Sequence, residues 1–107
     1  MEQVLSQLIG QRVAQVSYAE ALSILFDSGS RLAIYNSVSY HGCAKTHELK
    51  GRTLTSVSRS EGAILLDFDG FKFDFVDAYP ETESPEVAAI YFADGRIVVH
   101  QGDDTAR

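Results

Sequence analysis

Apolar and polar residues alternate along most of this chain, and glycines interrupt the alternation where it turns. The clearest stretch is Ile64-Leu65-Leu66-Asp67-Phe68-Asp69-Gly70-Phe71-Lys72-Phe73-Asp74-Phe75. Asp-Gly between two alternating runs is the strongest local signal for a two-residue hairpin, because that turn needs positive φ at both central positions. The register follows from the turn. Phe68 opposes Phe71, Leu66 opposes Phe73 and Ile64 opposes Phe75 on one face, while Asp67 opposes Lys72 on the other. A slip of one residue would turn all these apolar pairs toward water, so the pairing is tightly specified.

The first half of the chain predicts a similar hairpin around Asp27-Ser28-Gly29, a three-residue turn ending in a left-handed glycine. It pairs Ile24 with Leu32 and Leu22 with Ile34, and places Leu25 opposite Arg31. A third hairpin is expected over residues 87–100 with Asp94-Gly95 as its turn, putting Phe92/Ile97 and Ile90/Val99 on a shared face. A helix near 85–93, capped by Ser84 with Pro85 at its first position, competes for this stretch. The β-prone run Ile90-Tyr91-Phe92 favours the strand. Before the first hairpin, Val4, Leu5, Leu8 and Ile9 make an i, i+4 stripe closed by Gly10, which predicts a short amphipathic helix over residues 2–9.

The two halves resemble one another. At an offset of 41 residues the chain matches Leu8 with Leu49, Gly10 with Gly51, Val16 with Val57, Ser17 with Ser58, Glu20 with Glu61, Leu25 with Leu66 and Gly29 with Gly70. Such self-similarity marks an internal repeat, here over about 8–35 and 49–76. Each copy opens with an expected strand, 12–18 and 52–59, in which the apolar residues sit three apart: Val13 and Val16, then Leu54 and Val57. A β-bulge after the first of each pair would return both to the core. Two three-stranded meanders and a C-terminal hairpin make eight short strands, a mainly β chain forming a single antiparallel barrel-like or roll domain over residues 1–107. A two-sheet sandwich is the alternative, and α+β is a third reading should 85–93 be helical.

Composition narrows the partners. The apolar fraction is 45% and the charged fraction 22%, as in an ordinary globular protein, and no apolar run approaches a membrane-spanning length. The N-terminus lacks the basic patch and apolar stretch of a secretory signal, and a lone cysteine, Cys43, fits a reducing compartment, so the expected location is cytoplasmic. The net charge of −6 is lopsided: residues 1–66 carry six Lys/Arg against five Asp/Glu, and residues 67–107 carry three against ten. Scattered basic residues argue against nucleic acid, whereas an acidic half can steer a basic protein toward it.

Reactive side chains gather only in the join between the repeats, Tyr40 to Glu48. His41, Cys43 and His47, with His100 as a distant fourth, are candidate ligands for zinc or an activated thiol, although the spacing matches no standard zinc site. Asp67, Asp74, Asp77, Glu81, Glu83 and Glu86 form a candidate acidic binding face. Asp67-Phe68-Asp69-Gly70 is not a calcium loop, since the required downstream glutamate is absent. No phosphate-binding glycine run and no nucleophile elbow are present, and the sequence calls for no cofactor. The expectation is a non-enzymatic binding module that recognises another protein or its own copy through strand edges or the acidic face. A carrier of an apolar ligand, using Phe68, Phe71, Phe73 and Phe75, and a metal or thiol site in the join are the alternatives.

Overall fold

The computed structural model describes residues 2–18, 21–36, 38–41, 46–77 and 87–100. The first element, α1 (Glu2–Leu5), tightens at once into a 3-10 turn over Ser6–Leu8. The expected helix over 2–9 is thus α-helical only over its first four residues and 3-10 over the next three. Ser6 explains the change in part, because its hydroxyl donates to the Glu2 carbonyl at 2.7 Å and competes for a regular helix acceptor. Leu5 and Leu8 are fully buried and hold the segment down, and Gly10 at φ 92° turns the chain out of it.

Nine strands follow among the described residues: β1 (Val13–Tyr18), β2 (Leu22–Phe26), β3 (Arg31–Ile34), β4 (Val38–Tyr40), β5 (Ser56–Ser60), β6 (Ala63–Phe68), β7 (Phe71–Val76), β8 (Ala88–Tyr91) and β9 (Ile97–His100). They form two antiparallel sheets with the orders β1-β2-β3-β8-β9 and β4-β7-β6-β5. The fold is therefore mainly β with a short N-terminal helix, and it is the sandwich-like alternative, since the sheets do not close into a barrel. Among the described residues their backbones are bonded at one corner, where Arg12 bridges Thr53 and the 51–54 segment exchanges backbone hydrogen bonds with residues 10–13.

The register of β6 and β7 is the one the alternation requires, with Ile64, Leu66 and Phe68 opposite Phe75, Phe73 and Phe71, and Asp67 opposite Lys72. Asp69 at φ 54° and Gly70 at φ 94° make the two-residue turn, and the Asp67 carboxylate accepts the Gly70 N–H at 2.8 Å. β2 and β3 also pair as expected, Leu22 with Ile34, Ile24 with Leu32 and Leu25 with Arg31.

Three expectations are corrected. First, the join is not all loop: Val38-Ser39-Tyr40 forms β4, with Val38 opposite Phe75 and Tyr40 opposite Phe73. A three-residue strand carries too little alternation to stand out in the sequence. Second, 88–91 is the expected strand, but its hairpin is one residue out of the expected register. Tyr91 pairs with Ile97 and Ile90 with Val98, because Ala93-Asp94-Gly95 is a three-residue turn in which the Phe92 N–H bonds the Arg96 carbonyl at 2.8 Å. Third, the strand expected over 52–59 is paired only from Ser56 to Ser60, although Leu54 is fully buried.

The bulge expected in the first opening strand is present: the pairing of β1 with β2 slips between Val13 and Gln15, leaving Ala14 as the extra residue. In the second, Thr55 and Ser56 both oppose Asp67, as the Thr55 N–H also reaches the Asp67 carbonyl at 2.8 Å.

The core lies between the sheets. Phe26 of the first sheet stacks on Phe68 of the second with ring centroids 6.5 Å apart, and Phe68 stacks on Phe73 at 5.7 Å. Tyr40 covers the flank by packing edge-on against Phe71 at 6.0 Å. Phe68, Phe71, Phe73 and Phe75 are all buried in this packing.

Candidate functional site

Three places in the fold carry chemistry or unsatisfied structure: a buried carboxylate between the sheets, a groove on the outer face of the second sheet, and one strand edge.

The carboxylate is Asp77. β7 sends Phe71, Phe73 and Phe75 inward, and the same two-residue period carries Asp77 inward, where it is 1% exposed. It does not belong to an outward acidic face, which corrects that expectation. One carboxylate oxygen accepts a hydrogen bond from Arg59 at the end of β5 and the other from Nε2 of His100 at the end of β9. The Asp77 N–H bonds the Gly62 carbonyl at 2.7 Å. Arg59 also donates to both carboxylate oxygens of Glu2, at 3.1 and 3.2 Å, tying α1 to the same point. This hydrogen bonding from Arg59 pulls the Glu2 carboxyl down to about 2, and the Glu2 and Asp77 carboxylates together raise Arg59 above its ordinary value. The arrangement joins both sheets and the N-terminal helix. Arg59 and Glu2 were not legible as partners, being 57 residues apart.

His41, at the end of β4, takes a different carboxylate: its Nε2 lies 2.9 Å from Oδ2 of Asp74 on the outer face of β7. The two histidines are thus held by separate carboxylates, and His100 does not join the site expected in the join. Cys43 lies outside the described residues, as do Glu81, Glu83 and Glu86. His47 falls in a 3-10 turn over Thr46–Leu49. Among the described residues no three His, Cys, Asp or Glu side chains gather to hold a metal. Asp67 is outward, opposite Lys72.

Asp74 and His41 border a groove of about 350 Å³ lined also by Ser60, Glu61, Ala63 and Leu65. Its shape follows from the sheet pairing. Leu65 lies between Ser58 of β5 and Asp74 of β7, and Ser39 of β4 flanks Asp74 on the far side. Serines on the outer strands leave a trough over Leu65 and Ala63. Glu61 stands at its end in the tight turn between β5 and β6, with φ 40°. A second concavity of about 250 Å³, at the hairpin turns of the first sheet, is occupied by its own polar groups. There Ser28 donates to Gln11 at 2.6 Å, and Arg96 reaches Gln7 at 3.2 Å and Asp94 at 2.9 Å.

The strand edges differ. The first half of β1 is covered by residues 51–54, and its remainder offers Gln15 and Ser17 and ends on the exposed Tyr18. β4 is three residues long, and β5 reads Ser-Val-Ser-Arg-Ser. Among the described residues β9 alone presents a run of exposed aliphatic side chains at an edge, with Ile97 63% and Val99 45% exposed. Among the described residues no helix is long and apolar enough to cross a membrane. Neither a family model, nor a curated protein, nor a solved structure matches the chain.

Proposed function

We propose that the protein is a non-enzymatic binding module that pairs with a second copy of itself along the free edge of β9, in a reducing compartment such as the cytoplasm. The observation that carries this reading is the contrast among the four edges: three are short, polar or covered, and β9 is open and apolar. Natural sheets guard edges with charge, bulges or cover, so an unguarded edge marks a pairing surface.

The geometry of β9 suits a symmetric partner. The bond from the Phe92 N–H to the Arg96 carbonyl sets the ladder phase, so Arg96, Val98 and His100 face β8, and the backbone groups of Ile97 and Val99 point away from the sheet. A two-fold axis at Val98 would place Ile97 opposite Val99 of the second copy, forming about four ladder hydrogen bonds and one continuous sheet across both copies. The side chains of Ile97 and Val99 would then lie side by side across the axis, a favourable β-branched pair. No charge falls within Ile97-Val98-Val99, so pairing brings no like charges together at its centre.

Sedimentation velocity over a concentration series tests the reading. The expected result is a monomer–dimer equilibrium that Val99→Lys shifts to monomer without lowering the melting temperature at concentrations where the parent is itself monomeric, since the side chain at 99 points outward. A strict monomer at high concentration, or a dimer indifferent to Val99→Lys, would overturn it.

A further inference from the structure

The geometry of the groove on the second sheet points to a docking site for one basic side chain, an arginine or lysine presented by a partner protein. This surface is independent of the β9 edge. Its floor is Leu65 and Ala63, two residues apart on the outer face of β6 and both half-buried. Such a floor suits the aliphatic stem of a long cationic side chain, which lies along apolar surface while its head reaches polar groups. The head would meet carboxylates at both ends of the trough, Asp74 on β7 and Glu61 in the β5–β6 turn.

Asp74 is oriented for this. His41 holds its Oδ2 at 2.9 Å, and among the described residues Oδ1 has no hydrogen-bond partner. A carboxylate with one oxygen fixed and one open keeps its charge-assisted acceptor for an incoming guanidinium or ammonium. On the β5 side Ser58 and Ser60 flank Leu65 and Ala63 and are too short to fill the trough, while on the β7 side its wall is Asp74 and the half-exposed Val76. The net charge of −6 favours approach of a basic partner over an acidic one.

Glu61 adds a separate sign. It occupies the first position of a two-residue turn at φ 40°, where asparagine or glycine fits at lower strain. A glutamate kept there sacrifices turn stability for a carboxylate at the mouth of the groove. Stability and binding should therefore move in opposite directions at this position.

The test is a titration of isotope-labelled protein followed by amide chemical shifts, at low salt, with acetyl-Gly-Arg-Gly-amide and its lysine counterpart; acetyl-Gly-Glu-Gly-amide serves as control. Saturable shifts confined to residues 58–65 and 72–75 with either basic peptide, and absent with the acidic one, are expected. Glu61→Asn should raise the melting temperature yet weaken peptide binding about two- to fivefold, the scale of one exposed charge pair, and Asp74→Asn should weaken it comparably. The inference is overturned if the basic peptides produce no localised shifts, if the acidic peptide produces the same ones, or if both variants bind as the parent does.

Discussion

A carboxylate that is 1% exposed must find its hydrogen-bond partners inside the protein, and Asp77 finds two, Arg59 and His100, which arrive from different sheets. Because Arg59 is itself shared with Glu2, the N-terminal helix is fixed by the same cluster. That sharing has a pH signature. The Glu2 carboxyl is lowered from 4.5 to about 2 by its hydrogen bonds from Arg59. A carboxyl held more acidic when folded contributes stability that is complete above its ordinary value and is lost as pH falls through the folded one. Melting temperatures of the parent and Glu2→Gln should accordingly differ at pH 6 and converge between pH 4.5 and about 2. The gap should be small and should shrink in high salt, since both partners are about one-third exposed. A gap unchanged down to pH 2 would show that Glu2 acts by packing instead. At this scale the burial of Asp77 was legible, as it continues the inward period of Phe71, Phe73 and Phe75; counting charges along the chain hid it. Its partners were not, because no local pattern ties Glu2 to Arg59 or Asp77 to His100.

At the level of strands and turns, the sequence determines most where side-chain alternation and turn chemistry agree. Asp69-Gly70 admits only one register for Ile64–Phe68 against Phe71–Phe75, since any other exposes phenylalanines. Asp94-Gly95 is less decisive. Ala93-Asp94-Gly95 can turn with two central residues or three, and the neighbouring run Val98-Val99 tolerates either face. The three-residue form prevails, with the Asp94 carboxylate accepting the Arg96 N–H at 3.0 Å and Gly95 at φ 97°. It copies the turn at Asp27-Ser28-Gly29, whose Gly29 has φ 96°. The two turns lie side by side, where Ser30 of one accepts the Ala93 N–H of the other at 3.0 Å. Gly95→Ala should then cost about 1 kcal/mol in urea denaturation, as a β-carbon is strained at that φ though no atom crowds the position. A neutral result would mean that the hairpin can relax to the two-residue turn. In the candidate groove, Asp74 and His41 were legible as reactive residues, but the trough was not. It exists because Ser39, Ser58 and Ser60 flank Leu65 and Asp74, a relation set by strand order that only the folded sheet reveals.

Strand order also decides how the whole molecule behaves. The chain crosses from the first sheet into the second at β4 and returns at β8 to pair beside β3, so each sheet contains strands from distant parts of the sequence. Barrel closure was the natural inference from two meanders, yet the insertion of β8 beside β3 and of β4 beside β7 gives each meander an extra strand where it might have met the other. What unites the sheets is the aromatic stack of Phe26, Phe68 and Phe73, the Asp77 cluster and the corner at Arg12 and Thr53. If the stack is the principal tie, the sheets cannot lose stability separately. Phe68→Ala should cost about 3–5 kcal/mol, the usual range for removing a fully buried ring. The loss should register equally in hydrogen-exchange protection of the most stable amides of β2 and of β6, although Phe68 belongs to β6 alone. Protection falling in β6 while β2 retained its own would mean two sheets that fold as separate units. Equal loss would fix the Phe26–Phe68 contact as the link that makes one cooperative structure of both.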